Sequence, residues 1–177
     1  GRITFVPTGT TEGELENYAA YLFDTIKISE QFELSGSLRY EHNRGWARSD
    51  TLAGATATSR GTVTRGTTFF NKDNLFSYRV AALYKPVEAI SLYAAYGTSK
   101  TPSKTSVNGT CTALTCNVDP ETARNYEIGA KAELGEGVLL TAAAFRNERS
   151  NYKVDGPITP QNPTGEQVLD GTSRVDG

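Results

Sequence analysis

The stretch RNYEIGAKAEL, residues 124–134, places Tyr126, Ile128, Ala130, Ala132 and Leu134 at alternate positions, with Asn125, Glu127, Gly129, Lys131 and Glu133 between them. A β-strand sends successive side chains to opposite faces, so this segment builds one apolar wall and one polar, charged wall. Gly135, Glu136 and Gly137 then form a tight turn into VLLTAAAFRNER, residues 138–149, a second strand of similar length. The pair reads as a β-hairpin.

Two further hairpins precede it. One joins 18–28 to 32–42, and the other joins 75–84 to 90–99. In 32–42 the division is clean: Phe32, Leu34, Gly36, Leu38, Tyr40 and His42 alternate with Glu33, Ser35, Ser37, Arg39 and Glu41. In 75–84 the apolar face carries Phe76, Tyr78, Val80, Ala82 and Tyr84, with aromatic rings towards both ends. Phe76 to Tyr84 spans roughly 20 Å once tilted, near the height of the apolar band of a membrane barrel. The strand at 18–28 stays unoriented, because Tyr21 and Phe23 fall on one face and Leu22, Ile26 and Ile28 on the other.

Long polar segments, 43–74, 100–123 and about 150–166, separate the hairpins, so short turns alternate strictly with long connections. Ordinary connections have medians of about 4 to 6 residues. The asymmetry predicts an all-β fold: a segment of an antiparallel transmembrane β-barrel, with short periplasmic turns marked by Glu30, Val87 and Glu136 and long extracellular loops. A soluble antiparallel sheet with its apolar face inward shares the alternation. Against it, Arg39, Glu41, Arg79, Lys131 and Glu133 on the opposite face suit a polar lumen, and the Ala-rich apolar faces would pack a core thinly.

Composition narrows the classes. Among 177 residues, 37% are hydrophobic, lean for a thick core, and 18 basic residues nearly balance 20 acidic ones, so nothing points to nucleic acid. No run approaches the roughly 20 apolar residues of a spanning helix, a test that barrels escape. Without a Met anywhere, the chain reads as a piece of something longer, and the closing VLDGTSRVDG reads as a strand interrupted midway. A single histidine, His42, leaves no Ser-His-Asp set and no HExxH, and there is no phosphate-binding or dinucleotide glycine pattern. Glu127 and Glu133, about 20 Å apart along one strand, are too distant to act as an acid/base pair. They are expected to join charge networks with Arg39 and Lys131 across neighbouring strands. No enzyme activity, resident cofactor or metal is expected. Cys111 and Cys116 predict a local disulfide on an extracytoplasmic loop, since a metal site needs more ligands and His42 is far away in sequence.

The piece NVDPETARNYEIGAKAEL with its return strand VLLTAAAFRNERSNY, 117–152, resembles the TonB-dependent outer-membrane receptor family. In that family a loop ending in proline and glutamate leads to an Asn-Tyr-Glu-(Ile/Leu)-Gly strand and a hairpin whose return strand ends in Phe-Arg. Here these are Pro120, Glu121, Asn125, Tyr126, Glu127, Ile128, Gly129, Phe145 and Arg146. The stretches 21–42 and 78–103, and the closing LDGTSRV, are similar to further strands of the family. The resemblance covers roughly 17–177 and is nearest to catecholate ferric siderophore receptors. It implies about seven strands of a 22-stranded barrel, with the plug domain absent from these residues. It further implies a ferric siderophore as ligand, the TonB complex as partner through the plug, outer-membrane lipid and lipopolysaccharide as surroundings, and a Gram-negative outer membrane as location. The same fold also imports cobalamin, heme or oligosaccharides, and a passive porin or surface adhesin is a more distant alternative.

Within 43–74, five basic residues, Arg44, Arg48, Arg60, Arg65 and Lys72, outnumber Asp50 and Asp73, an excess of three that leaves the rest of the chain near −5. The same segment holds the only tryptophan, Trp46, and the adjacent Phe69 and Phe70. Ferric catecholates are anionic and carry aromatic rings, which suits guanidinium groups and aromatic faces. These seven candidates, Arg44, Trp46, Arg48, Arg60, Arg65, Phe69 and Phe70, are therefore expected at the extracellular ligand entrance. The alternative is that the arginines meet lipopolysaccharide phosphates or solvent.

Overall fold

The computed structural model of the chain describes residues 6–177 apart from 57, 59, 60, 104–112, 114, 117, 136, 161, 162 and 164–167, and apart from the side chain of Leu169. Eight strands follow one another: β1 (Gly9–Lys27), β2 (Phe32–Ala53), β3 (Thr62–Thr64), β4 (Thr68–Val87), β5 (Ile90–Thr101), β6 (Glu121–Leu134), β7 (Val138–Val154) and β8 (Val168–Asp176). They form one antiparallel sheet in the order β1-β2-β4-β5-β6-β7-β8, with the short β3 paired to β2. The described residues contain no helix. The three expected hairpins are β1–β2, β4–β5 and β6–β7.

At the turn end the connections are tight. Ser29 Oγ accepts the backbone N–H groups of Gln31 and Phe32 at 3.3 and 3.1 Å and so closes the β1–β2 turn. Gly137 adopts φ +82°, a left-handed conformation that only glycine takes without strain, and closes β6–β7. β4 runs on to Val87 with a bulge after Tyr84, leaving a shorter turn than the 85–89 read from sequence.

Cross-strand register settles which side each residue faces. Leu22 lies opposite Leu38 and Ile26 opposite Leu34, so the unoriented first strand presents Tyr18, Ala20, Leu22 and Ile26 to the apolar face. Tyr21 and Phe23, opposite Arg39 and Ser37, belong to the polar face. The apolar face continues through Phe76 to Tyr84 on β4, Tyr126 to Leu134 on β6, and Val138, Leu140, Ala142 and Ala144 on β7. It remains uncovered: Leu22 is 65% and Ile128 62% exposed. Near its upper border the rings of Phe76, Tyr78, Tyr96 and Tyr126 run across three strands with centroid separations of 6.1, 5.8 and 4.9 Å. Nearly all buried residues gather instead at the loop end, among them Asn43, Ala47, Asn71, Asp73, Leu75, Ser103 and Cys116.

The structure corrects the reading of the first long connection. Segment 43–74 is not a long loop: β2 continues to Ala53, β4 begins at Thr68, and β1 starts at Gly9 rather than near 18. Backbone ladder bonds do not depend on side-chain polarity. Beyond Tyr40 and Phe76 both faces turn polar, so the apolar alternation that marks a strand fades while the strand itself continues.

Candidate ligand face at the loop end of the sheet

Strand geometry parts the residues expected to bind ligand. Arg44, Trp46 and Arg48 alternate on β2 and share the face that continues Tyr40 and His42, which is the apolar side. Phe70 and Lys72, opposite Trp46 and Arg44, join them there. Phe69 lies opposite Ala47 and points to the other face, so the two adjacent phenylalanines separate. Arg65 sits in the connection before β4, and Arg60 lies outside the described residues.

The two β2 arginines on this side, Arg44 and Arg48, are already matched. Register sets Glu12, Glu14 and Glu16 of β1 opposite Arg48, Trp46 and Arg44. Glu16 pairs with Arg44, and Arg48 bridges Glu12 at 2.7 Å and Asp50 at 2.9 Å. The Trp46 Nε1–H donates to Glu14 Oε2 at 3.2 Å. The Arg48 guanidinium, together with the Gly66 N–H, holds the Asp50 carboxyl below its usual range. Glu14, Glu16, Arg44, Trp46, Phe70 and Lys72 line a shallow groove of about 520 Å³. The positive excess of 43–74 thus disappears once β1 is included. Counting one segment hid this, because the acidic partners lie about thirty residues earlier and only pairing brings them across.

The opposite face is organised differently. Asn43, Asn71 and Asp73 are buried, with Ser103 against Asp73. Asn71 Nδ2 donates to Asn43 Oδ1 and Asp73 Oδ2, both at 3.3 Å. Ser103 links Asp73 to Cys116: its backbone N–H donates to Asp73 and its Oγ–H to the Cys116 carbonyl at 2.6 Å. Cys116 packs on Ala47 and Phe69. It is disulfide-bonded, and Cys111, its expected partner, lies outside the described residues. Asp73 stands above the apolar belt, and burial, with Asp119 nearby, pushes its carboxyl above the usual range. Asn71 Oδ1 is buried without a hydrogen-bond partner among the described residues. The sequence reading missed this cluster, although Asn43, Asn71 and Asp73 fall at strand-like odd positions within the supposed loop.

Further down the same face the residues of the NYEIG stretch act as wall. Asn125 Nδ2 donates to Asn147 Oδ1 at 2.6 Å, and the Tyr93 hydroxyl donates to Glu127. The Tyr93 ring lies where a Cβ on Gly129 would stand. Arg149 pairs with Glu121 and sits 5.5 Å from the centroid of the Tyr152 ring. Arg39 bridges Glu41 at 2.7 Å, and Arg79 forms no ion pair among the described residues. The expected network of Glu127 and Glu133 with Arg39 does not form, because β4 and β5 separate β2 from β6. Glu133 meets Lys131 of its own strand at 4.0 Å.

Comparison with known proteins agrees with this architecture. The family model described as TonB dependent receptor-like, beta-barrel, matches residues 3–177. A probable TonB-dependent receptor, BfrD, of Bordetella pertussis is 33% identical over 159 residues, covering 85% of this chain and 20% of its own length. The catecholate siderophore receptor Fiu of Escherichia coli K12 is 30% identical over 189 residues, covering 93% of this chain and 23% of its own length. The crystal structure of that receptor in a closed form superposes with a TM-score of 0.70 at 26% identity, covering 94% of this chain and 25% of the receptor chain. The chain therefore spans about a fifth to a quarter of the length of the proteins it matches, as a fragment of their barrel. With an all-antiparallel sheet, tight turns at one end and long connections at the other, the chain belongs to the TonB-dependent receptor β-barrel family.

Proposed function

We propose that this chain forms part of the barrel wall of a Gram-negative outer-membrane receptor that imports ferric siderophores with energy from the TonB complex. The observation that carries the reading is the likeness along nearly the whole chain to a protein named as a catecholate siderophore receptor. The apolar face then meets lipid, and the polar face with Arg39, Arg79, Glu127 and Tyr93 lines the lumen. The short turns lie on the periplasmic side. TonB acts through a plug domain elsewhere in the full-length receptor.

The ligand side is the polar face at the loop end. There Phe69 stands above Arg79, offering a ring and a cation to an anionic iron chelate. Arg44, Trp46, Arg48 and Phe70 face the barrel exterior, the first three bound to the glutamates of β1, so they are not assigned to the ligand. Ferric-siderophore affinity of the full-length receptor tests this division. Phe69→Ala combined with Arg79→Gln should weaken binding at least tenfold, and Arg44→Gln with Trp46→Ala should leave it within twofold. The reverse pattern would return the entrance to the exterior residues. Growth of iron-starved cells on defined catecholate and hydroxamate siderophores tests the cargo itself: rescue by neither sinks the siderophore reading.

A further inference from the structure

Asp73 is a buried carboxylate without a cation. It is 7% exposed and forms no ion pair among the described residues, and Lys72 beside it belongs to the exterior face. An ionised carboxylate taken out of water is unfavourable unless charge or hydrogen bonds compensate it. Compensation here is thin: the Ser103 N–H and the Asn71 amide donate to it, while the Asp119 carboxylate adds negative charge from nearby.

The Asn71 amide carries the second observation. Its Nδ2 stands 3.3 Å from both Asn43 Oδ1 and Asp73 Oδ2, long for N–H···O bonds, and its Oδ1 has no hydrogen-bond partner among the described residues although Asn71 is only 3% exposed. That oxygen lies 3.0 Å from the empty Cβ position of Gly45, and the Glu14 carbonyl oxygen lies 2.8 Å from the same point. An unused acceptor therefore sits on a side that already holds one. The two ends of an amide are nearly equal in size, and a half-turn about χ2 exchanges them. The turn aims the oxygen into the cluster, 3.3 Å from each of two further oxygens, Asn43 Oδ1 and Asp73 Oδ2. Oxygens so placed repel one another unless a cation lies between them. Their spacing selects the ion: ligands at right angles around calcium, bound at about 2.3 to 2.6 Å, stand roughly 3.3 to 3.7 Å apart, whereas magnesium at about 2.0 to 2.1 Å draws them to roughly 2.8 to 3.0 Å.

We propose that Asn43, Asn71, Asp73 and Asp119 form a calcium site at the loop end of the polar face. The ion neutralises the buried carboxylate and ties Asp119, just before β6, to β2 and β4. No metal motif marks the site in the sequence, because Asn43 and Asp73 come together only through strand register. Two carboxylates and two amide oxygens suit the affinity of extracellular calcium modules, on the order of 10⁻⁴ to 10⁻³ M. The site depends on no particular cargo, so it stands or falls apart from the siderophore reading.

The test uses the full-length receptor in detergent, stripped of divalent ions with a chelator and titrated calorimetrically with calcium chloride or magnesium chloride. Wild-type protein should bind calcium at least tenfold more tightly than magnesium. Asp119→Asn, a change at an exposed position, should weaken calcium at least fivefold and leave the Tm in chelator unchanged. Asn71→Asp puts a carboxylate where the amide oxygen is aimed. It should tighten calcium at least fivefold while lowering the Tm in chelator, whereas an amide with a merely structural role would give the lower Tm and no gain in affinity. Absence of calcium binding below 10⁻² M in wild type overturns the proposal, as does equal affinity for magnesium. Calcium held equally by wild type and Asp119→Asn lies elsewhere in the receptor and overturns it too. The wild-type and Asp119→Asn titrations decide even if Asn71→Asp fails to fold.

Discussion

Gly129 shows what alternation leaves unsaid. In the sequence it is a gap in the polar row between Glu127 and Lys131, and in the structure it is the floor on which the Tyr93 ring lies while its hydroxyl reaches Glu127. A methyl group there collides with the ring, which is tethered and cannot swing away freely. Gly129→Ala should lower the stability of the full-length receptor by about 1 to 3 kcal/mol, the usual range for overpacking, as read from its urea midpoint. The coupling is specific: in a Tyr93→Ala background the same change should cost much less. Equal costs in both backgrounds would mean that the glycine serves something other than this ring.

At the scale of elements, legibility followed hydrophobicity. The three hairpins and their turns could be read wherever one face was apolar, from Phe32 to Tyr40 and from Phe76 to Tyr84. The upper halves of β2 and β4 could not, because Arg44 to Asp50 and Thr68 to Asn74 carry polar groups on both faces. Direction was lost with them: without register, nothing in the sequence says that Phe69 and Phe70 part or that Glu16 meets Arg44. The candidate site was legible as composition but not as orientation. The docking of Ser103 on Asp73 carries its own prediction. Covering Asp73 raises its pKa, so the covered state favours the protonated carboxyl. Docking should therefore tighten as pH falls through that raised value towards the ordinary carboxylate value of about 3.9, and loosen above it. A spin label placed at Ala113 should lose mobility on acidification in the wild type and show no pH response in Asp73→Asn. A response that survives in Asp73→Asn would assign the switch to another group.

For the whole molecule, every main strand pairs only with its neighbours, and the large apolar side chains stay uncovered on one side. Such a sheet is held by backbone ladders and by what lies against its two faces, not by an interior of its own. Lipid on one side and a polar lumen on the other is the central claim, and the stretch at 124–134 tests it most directly. Single fluorescent labels placed at 127, 128, 130, 131, 132 and 133 of the full-length receptor in bilayers can be quenched from lipid or from water. The account predicts quenching by a lipid-soluble quencher at 128, 130 and 132, and by an aqueous quencher at 127, 131 and 133. Loss of this two-residue period, or its inversion, would contradict it.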